Sequence, residues 1–555
     1  MSDLTSQAMG EAGAEPRRRA LSFPMHHASS RKPWTGRRRV HARALLAIAT
    51  VAATLVSSVH AAPGPLRAEG RIGLLGVGRF DADSPNQSPE LRVDLDVAQK
   101  VSPRVRWQAG LVARAGGPPR DPGGGVFDLG ASFQNLAPSL EIGETWLSLR
   151  DHGVEVKAGL QKFYWGRLDG SRPNDLLNPH DFEDPALDED RERKIAVPAL
   201  AIDWTVPRSA AVPDASRLTL VWQPFDVPWR YPLPAERWFA PAARAPAELA
   251  VGAIADTPCP CDVSVTQRAR NTAPPARNGG SGNYGIRFGA RGAGIDWAAV
   301  VFDGYDPMPS FAVPVRLDGL GGAANARRAA ALAPQVRERN GGTAPGLAPS
   351  ADMEAAAFPL EATTDIVPAY RRFASFGGDA ATEIFEWTVR GETALQLGRP
   401  FPFSLAEVTR RLLADPTAIA RLGAGETVTR NAFAERDAIA WGIGADTFFG
   451  PWMPLIELTQ VALLDNDAHL LVPDIDTRLT ARLARTLLDE TVDVELMATQ
   501  AFEQGAGLTR ARVGWAFARG ARIEAGLIAI WGRAASPIGQ YHDNDEVYAR
   551  LQWAF

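Results

Sequence analysis

The chain has 555 residues, a formal net charge of −5 and only two cysteines, Cys259 and Cys261. A nearly balanced charge provides no general basic field, so we expect no nucleic-acid partner. The scarcity of cysteine suits an exported protein that does not depend on disulfides. Beyond residue 61 no apolar run reaches about 18 residues, which excludes membrane-spanning helices from that part of the sequence.

The first recognisable element is an N-terminal leader. Arg37, Arg38 and Arg39 precede an apolar run over residues 44–59, and small residues follow as far as Ala61. A basic segment, a short apolar run and small residues at the cleavage position predict a secretory signal peptide that is cleaved after Ala61. The alternative is a single membrane anchor, but a spanning helix needs about 20 strongly apolar residues, and this Ala-rich run is shorter.

Alternating segments dominate the rest of the chain. Leu91, Val93 and Leu95 alternate with charged residues, and the final stretch, EVYARLQWAF, places its apolar residues up to Phe555 on one side. A period of two predicts strands with one apolar and one polar face. The pattern recurs at 105–111, 154–161, 385–392, 492–496, 510–517 and 522–531. Between residues 453 and 464, Glu457 and Gln460 fall on opposite faces, so the register of that strand stays open.

Two features favour a membrane barrel over a soluble sheet. The polar faces carry charges of both signs, and the apolar faces carry Trp and Phe near strand ends, as in an interfacial girdle. Short connections also alternate with long ones, as periplasmic turns and outer loops do in outer-membrane barrels. The long loops are predicted at 115–138, 165–195, 225–281, 305–367 and 399–433.

We therefore predict an all-β fold, a transmembrane antiparallel β-barrel of about 18 strands, within a range of about 14 to 18. Residues 1–61 are the predicted leader, 62–69 a short periplasmic segment, and 70–555 the barrel with its loops. A soluble periplasmic sheet protein is the alternative at the level of fold. Within the loops, residues 318–337 and 404–422 have helical character, and Ser404 is a candidate cap for the second segment.

The strongest local constellation lies in the loop at 165–195. Arginines that can hold carboxylates in a bidentate fork alternate there with Asp, and with Asn and Asp near proline. We predict either a loop folded inward to constrict the pore or a solvated surface loop. The candidate loop and constriction residues are Trp165, Arg167, Asp169, Arg172, Asp175, Asn178 and Asp181.

The polar faces supply candidate pore-lining residues, because rings of charge decide which solutes pass a channel. An Arg-rich wall favours anionic or hydroxylated solutes, and the alternative is that opposite charges on neighbouring strands pair and fill the lumen. The candidates are Arg92, Asp94, Asp96, Arg104, Arg106, Arg390, Glu392, Arg478, Arg482, Asp493, Glu495, Arg510, Arg512, Arg522, Glu524 and Arg550.

The sequence contains motifs with a specific resemblance. The run GLQKFYWGRLDGSRPNDLLNPHDFED, at 159–184, resembles a loop of large porin-like outer-membrane channels, including the alginate-export family. The ending EVYARLQWAF resembles the closing strand of Gram-negative outer-membrane barrels. The resemblance implies location in the outer membrane, contact with its lipid, and assembly by the barrel assembly machinery through the strand that ends in Phe555. It also implies passive or facilitated passage of a small-molecule or polysaccharide solute, and insertions at 225–281 and 318–360 depart from the compact pattern.

The sequence predicts no catalytic residue, no cofactor and no metal site. The acidic segment at 181–192 is predicted to be a solvated loop, because charge runs are usually solvated and its spacing does not fit a calcium loop. The alternatives to a channel are a barrel hydrolase, for which His180 or His542 beside aspartates are the only suggestive neighbours, and a plugged structural or adhesive barrel. The oligomeric state stays open.

Overall fold

The computed structural model describes residues 64–79, 88–117, 135–137, 140–182, 185, 187, 190–207, 214–227, 229–230, 237–238, 261–269, 282–306, 308, 310–318, 358–403, 405–465 and 469–555. The predicted leader, its cleavage after Ala61, Ser404 and Cys259 lie outside these residues, as does nearly all of the helical segment predicted at 318–337.

Twenty-three strands account for most of the described chain. The first twelve are β1 (Leu66–Arg79), β2 (Ser88–Lys100), β3 (Val105–Gly117), β4 (Asn135–Ala137), β5 (Leu140–Asp151), β6 (Val154–Gln161), β7 (Val197–Thr205), β8 (Asp214–Gln223), β9 (Cys261–Ala269), β10 (Asn283–Gly292), β11 (Ile295–Tyr305) and β12 (Ser310–Asp318). The others are β13 (Phe358–Ala369), β14 (Arg372–Ile384), β15 (Trp387–Pro402), β16 (Val428–Asn431), β17 (Phe433–Asp446), β18 (Trp452–Leu463), β19 (Ile475–Leu487), β20 (Val492–Ala501), β21 (Ala506–Ala518), β22 (Ala521–Trp531) and β23 (Glu546–Ala554).

Eighteen of these strands form one closed antiparallel barrel. Each pairs with the next barrel strand along the chain, and β1 closes the ring by pairing with β23 over Arg71–Arg79. The predicted barrel of about 18 strands is confirmed. β1 begins at Leu66, earlier than the predicted barrel start at residue 70, because Leu66 already pairs with Gln99 on β2.

The two ends of the barrel differ, as predicted. At one end, the turn end, consecutive strands are joined by short connections at 101–104, 152–153, 206–213, 293–294, 385–386, 447–451, 488–491 and 519–520. At the other, the loop end, the connections include the long segments at 118–139, 162–196, 224–282, 306–371 and 403–432. The connection at 502–505 is short although it lies at the loop end.

Side chains alternate between an apolar outer face and a more polar inner face. Large apolar residues such as Leu147, Ile443 and Leu551 are exposed on the outside, while charged residues such as Glu457 and Glu524 are buried. This arrangement fits hydrocarbon outside and water or polar groups inside. It also settles the register of β18, in which Glu457 faces inward and Gln460 lies outward beside the Trp441 indole.

Segments of the loop-end connections form a second, four-stranded sheet. Its strand order is β16, β12, β13 and β9, with β9 parallel to β13 and the other pairs antiparallel. The predicted helical segment at 404–422 forms α2 (Leu405–Leu413) and α3 (Pro416–Gly423), separated by Asp415, whose carboxylate caps α3. One further short helix, α1, spans Asp190–Arg193. None of the helices in the described ranges is long and apolar enough to cross a membrane.

Gly70 provides a seat for the aromatic ring of Phe555 where the barrel closes. The two residues exchange both backbone hydrogen bonds at 3.0 Å, and a Cβ added to Gly70 would lie 2.3 Å from Cζ of Phe555. We expect Gly70→Val to displace the ring and to lower the free energy of unfolding by about 1–3 kcal/mol. Urea unfolding of the refolded barrel, monitored by heat-modifiable gel mobility, measures this loss.

Gly76→Val is the matched control, because Gly76 lies on the same strand and no atom lies within 4 Å of the added Cβ. Equal effects of the two substitutions would contradict a specific role for the seat of Phe555.

Candidate functional site

The residues between β6 and β7, 162–196, enter the barrel and are called the inner loop. The structure describes 162–182, 185, 187 and 190–196 of this loop. Its residues bond to inward-facing side chains on β14, β15, β18 and β19. Along this part of the wall the barrel contributes mainly carboxylates, and the loop contributes backbone N–H groups and guanidinium groups.

Glu457 on β18 binds the backbone of the inner loop. Its carboxylate accepts hydrogen bonds from the N–H groups of Asp169 at 2.8 Å, Gly170 at 2.9 Å and Ser171 at 3.2 Å. The Glu457 side chain is only 2% exposed, and a buried carboxylate is costly unless donors replace its water. The carboxylate and this stretch of loop therefore stabilise each other.

A second anchor lies on β14 and β15. The Glu392 carboxylate accepts hydrogen bonds from the backbone N–H groups of Arg167 and of Leu168, the latter at 2.7 Å. The Arg167 guanidinium reaches Asp379 on β14 at 2.5 Å, and Arg287 on β10 meets the same carboxylate at 3.3 Å. Asp379 thus joins the loop to two strands of the wall.

Glycines in the wall make room for the apolar side chains of the inner loop. A Cβ on Gly442 would lie 2.6 Å from Leu168, and a Cβ on Gly285 would lie 2.7 Å from the Trp165 ring. Both loop side chains are buried against the barrel. Apolar packing and carboxylate anchors therefore hold the same side of the loop to the wall.

Polar residues of the inner loop bond its two ends to each other. The buried Lys194 ammonium donates to the Phe163 carbonyl at 2.6 Å and pairs with Asp175. The Asn178 amide donates to the carbonyls of Gln161 at 3.0 Å and Ile195 at 2.8 Å. These bonds join the beginning of the loop to its end at the point where it leaves the wall.

Two carboxylates of the acidic segment, Asp181 and Glu192, have described side chains, and both are buried, so the predicted solvated state is wrong for these two residues. Glu192 pairs with Arg71 on β1 and, at 3.6 Å, with Arg550 on β23. The Arg550 guanidinium also donates to the Leu187 carbonyl at 2.9 Å. Asp181 is 3% exposed and meets Arg230 at 3.2 Å. Arginines of the wall and of the next loop neutralise these carboxylates, which the local sequence does not reveal.

The segment that follows β8 also crosses the interior. Arg230 meets Glu141 on β5 at 2.8 Å, and Trp238 packs against Ile528 on β22 and Tyr548 on β23. β8 and β22 lie nearly opposite each other in the ring of strands. The described residues of this segment and of the inner loop therefore both contact the inner face of the barrel.

The wall formed by β19 to β22 presents arginines that keep some exposure. The side chains of Arg482, Arg510, Arg512 and Arg522 are between 20% and 30% exposed. Behind them, Glu495 accepts from Arg510 at 3.2 Å and from Arg512 at 3.0 Å, and it is only 7% exposed. Guanidinium groups are therefore more accessible on this wall than most of the carboxylates that orient them.

The remaining candidates from the sequence are distributed as follows. Arg104 lies in the turn before β3, where its exposed side chain meets Asp151, so it does not lie on a barrel strand. The other candidates lie on the inner face and mostly pair with opposite charges: Arg92–Asp94, Arg106–Glu155, Arg390–Asp446, Arg478–Asp476, Arg522–Asp493 and Arg512–Glu524. Asp96 accepts from Gln108, Arg172 meets Asp175, and Asp169 meets Arg482 at 3.5 Å. Their role in lining a pore stays a prediction.

Two anchors of the inner loop were absent from the candidates. Asp379 falls in a segment rich in Gly and Ala, and Glu457 lies in the strand whose register the sequence left open. The only local signal at Glu457 is that it is the single charged residue of β18. Its partners at Asp169 to Ser171 are almost 300 residues away along the chain.

No protein-family model matches the sequence, and no curated protein matches it. Among solved structures, the chain is similar to OpdK of Pseudomonas aeruginosa bound to vanillate, with 9% identity, coverage of 88% of this chain and 97% of that one, and a TM-score of 0.41. It is also similar to OmpF of Salmonella typhi in complex with daunomycin, with 8% identity, coverage of 89% and 98%, and a TM-score of 0.37. A Rh. blastica porin mutant has 10% identity, coverage of 89% and 100%, and a TM-score of 0.33.

At these identities and TM-scores the class of the protein depends on its own strand pairing and surface. A closed antiparallel barrel with an apolar outer belt and a polar interior defines a transmembrane β-barrel of the outer-membrane type.

Replacing Glu457 tests how the inner loop is held. Glu457→Ala leaves the N–H groups of Asp169 and Gly170 without their charged acceptor, and hydrogen bonds to charged groups contribute about 1.5–3 kcal/mol. We expect amide hydrogen exchange of residues 169–171 to accelerate while exchange in the barrel strands stays slow.

Asp493→Ala is the control. Asp493 is an inward-facing carboxylate on β20 that pairs with Arg522 on β22. Unchanged exchange at 169–171 in Glu457→Ala would show that Glu457 does not hold the loop.

Asp226, directly after β8, provides a test of pH dependence. Burial raises the pKa of this carboxyl to about 7, although the Asn283 amide donates to it at 3.0 Å. In the unfolded chain the reference pKa of the carboxyl is 3.8. At a pH between these two values, the folded state therefore keeps a proton that the unfolded chain has lost. We expect stability to fall as pH rises from about 4 to about 7 and then to level off.

Asp226→Asn removes the titrating group and keeps the side-chain shape. Urea unfolding at a series of pH values should show a flatter profile for Asp226→Asn than for the parent in this window. An identical slope would contradict a buried, protonated Asp226.

Proposed function

We propose that this protein is a porin-type channel of the outer membrane that passes an anionic or hydroxylated solute, either a small molecule or a polymer. The contrast between the two parts of the wall carries the proposal. On β14, β15 and β18 the carboxylates are covered by the inner loop, whereas on β19, β21 and β22 arginines keep access to the interior. The passage runs along this arginine wall, beside the inner loop.

Asp169 and Arg482 mark the narrow part of the proposed passage. Asp169 belongs to the inner loop and is 42% exposed, and Arg482 belongs to the wall and is 25% exposed. The pair at 3.5 Å joins the edge of the loop to the arginine wall. Fixed opposite charges on the two sides of a constriction orient polar solutes as they pass.

The route to the membrane is part of the proposal. Export depends on the leader with cleavage after Ala61, and insertion depends on recognition of the last strand, β23, and Phe555 by the assembly machinery. The exposed apolar belt supports contact with outer-membrane lipid. The solute is a small molecule or an extended polysaccharide that fits beside the inner loop.

A plugged barrel is the rival with specific support, because the inner loop and the segment at 224–238 both cross the interior. A hydrolase has less support. His180 packs against the rings of Phe182 and Trp229. His542 bonds through Nδ1 to the Gly539 carbonyl and meets Asp543 through Nε2 at 3.3 Å, but the two side chains of this pair are 42% and 75% exposed. We therefore propose a channel without catalytic residues.

Planar-bilayer recordings test the channel and its selectivity together. We expect discrete conductance steps and a reversal potential in a KCl gradient that shows anion preference. One charge at about 4 Å contributes on the order of 1 kcal/mol even in water. The double substitution Arg510→Gln and Arg512→Gln removes two such charges and should therefore reduce the anion-to-cation permeability ratio by at least roughly fivefold.

Arg291→Gln is the matched control, because Arg291 lies beside the turn at 293–294 and pairs with Asp296 in an exposed position. A folded barrel with no conductance would support the plugged barrel. A conducting double variant with unchanged selectivity would remove the arginine wall from the selectivity mechanism.

A further inference from the structure

The most exposed large apolar side chains of the described barrel lie at its turn end. Phe385 is 97% exposed, Phe448 73%, Phe449 77% and Leu488 73%. By comparison, no large apolar residue on the outer faces of the described strands is more than 57% exposed. We call these four residues the turn patch.

The turn patch occupies three successive connections in the ring of strands. Phe385 lies between β14 and β15, Phe448 and Phe449 between β17 and β18, and Leu488 between β19 and β20. The Thr447 hydroxyl donates to the Glu386 carbonyl at 2.6 Å and joins the first two turns. The four apolar residues therefore lie along one stretch of the turn end.

Backbone geometry makes the choice of residues more unusual. Phe385 and Leu488 have φ values of 56° and 52°, in the left-handed region that favours glycine and asparagine. The other two-residue turns in the described barrel use His152-Gly153, Ala293-Gly294 and Arg519-Gly520. A large apolar residue at such a position costs free energy twice, through the strained backbone and through the exposure of its side chain to water. Strained residues of this kind cluster where a contact compensates the cost.

The apolar outer belt continues directly into the turn patch. Ile384 and Trp387 flank Phe385 and are exposed on the outer side, and Trp452 follows Phe449 across a backbone bridge. The Arg485 guanidinium lies 4.9 Å from the centre of the Trp452 ring. Trp and Arg side chains of this kind mark the boundary between hydrocarbon and lipid headgroups. Because the outer belt faces lipid and continues into the turn patch, we expect the patch to contact lipid as well.

We propose that the turn patch inserts into the headgroup region of the adjacent lipid leaflet and anchors the β14–β20 side of the barrel. The turns between β2 and β7 are polar and lie across the ring, so that side remains in water. The barrel is consequently immersed unevenly at its turn end. The partner is a phospholipid surface, not a protein.

Site-directed spin labelling measures this immersion. Single cysteines replace Phe385, Phe448 or Leu488 in a Cys259→Ser, Cys261→Ser background, and the labelled full-length barrels are reconstituted in phosphatidylcholine vesicles. Collision rates with oxygen and with a water-soluble nickel chelate give the depth of each label. We expect the ratio of oxygen to nickel collisions to be several-fold higher at the turn patch than at the control.

His152→Cys is the matched control, because His152 is the exposed first residue of a two-residue turn and has a φ of 44°. Heat-modifiable mobility selects folded variants, and three separate patch positions guard against failure of one. Ratios at all three positions equal to that at residue 152 would overturn the proposal and leave the patch to a protein partner. High ratios at two or more positions support it.

Discussion

The requirement that every backbone N–H and C=O find a partner inside hydrocarbon governs this structure. A sheet meets the requirement only when its first and last strands pair. Here β1 and β23 pair over Arg71–Arg79, and Phe555 continues the ladder to Gly70. Closure allows the outer faces to be apolar, and it forces the charged residues of each strand into the interior.

The charges collected inside the barrel need partners of their own, and they find two different kinds. Under the inner loop, Glu392 and Glu457 accept backbone N–H groups, which tie a long connection to the wall. On β19 to β22, Glu495 on β20 and Glu524 on β22 meet guanidinium groups of the strand between them, β21. One part of the wall therefore holds a loop, and the other part presents oriented arginines. The proposed passage follows from this division.

The strands and their inward and outward faces could be predicted from the sequence, because the alternation of apolar and polar residues is a local pattern. The segment at Leu91 to Asp96 and the final strand showed their inward and outward sides without any knowledge of their neighbours. Arg510, Arg512 and Glu495 were placed inward on the same grounds, and the structure puts them together. The loop was harder, because Trp165 to Asp181 showed unusual composition but not its partners. Asp379 and Glu457 were missed, and the acidic residues at 181 and 192 were wrongly expected to face solvent.

The sequence by itself determined the all-β fold, the membrane-facing side of the strands and the approximate strand number, since these depend on a two-residue period and on turn spacing. Only the tertiary structure decided which carboxylates hold the inner loop and which side of the lumen keeps accessible arginines. Those contacts join residues hundreds of positions apart, such as Asp169 and Glu457. Their pairing depends on the stagger of 18 strands around the ring, and no local pattern encodes it.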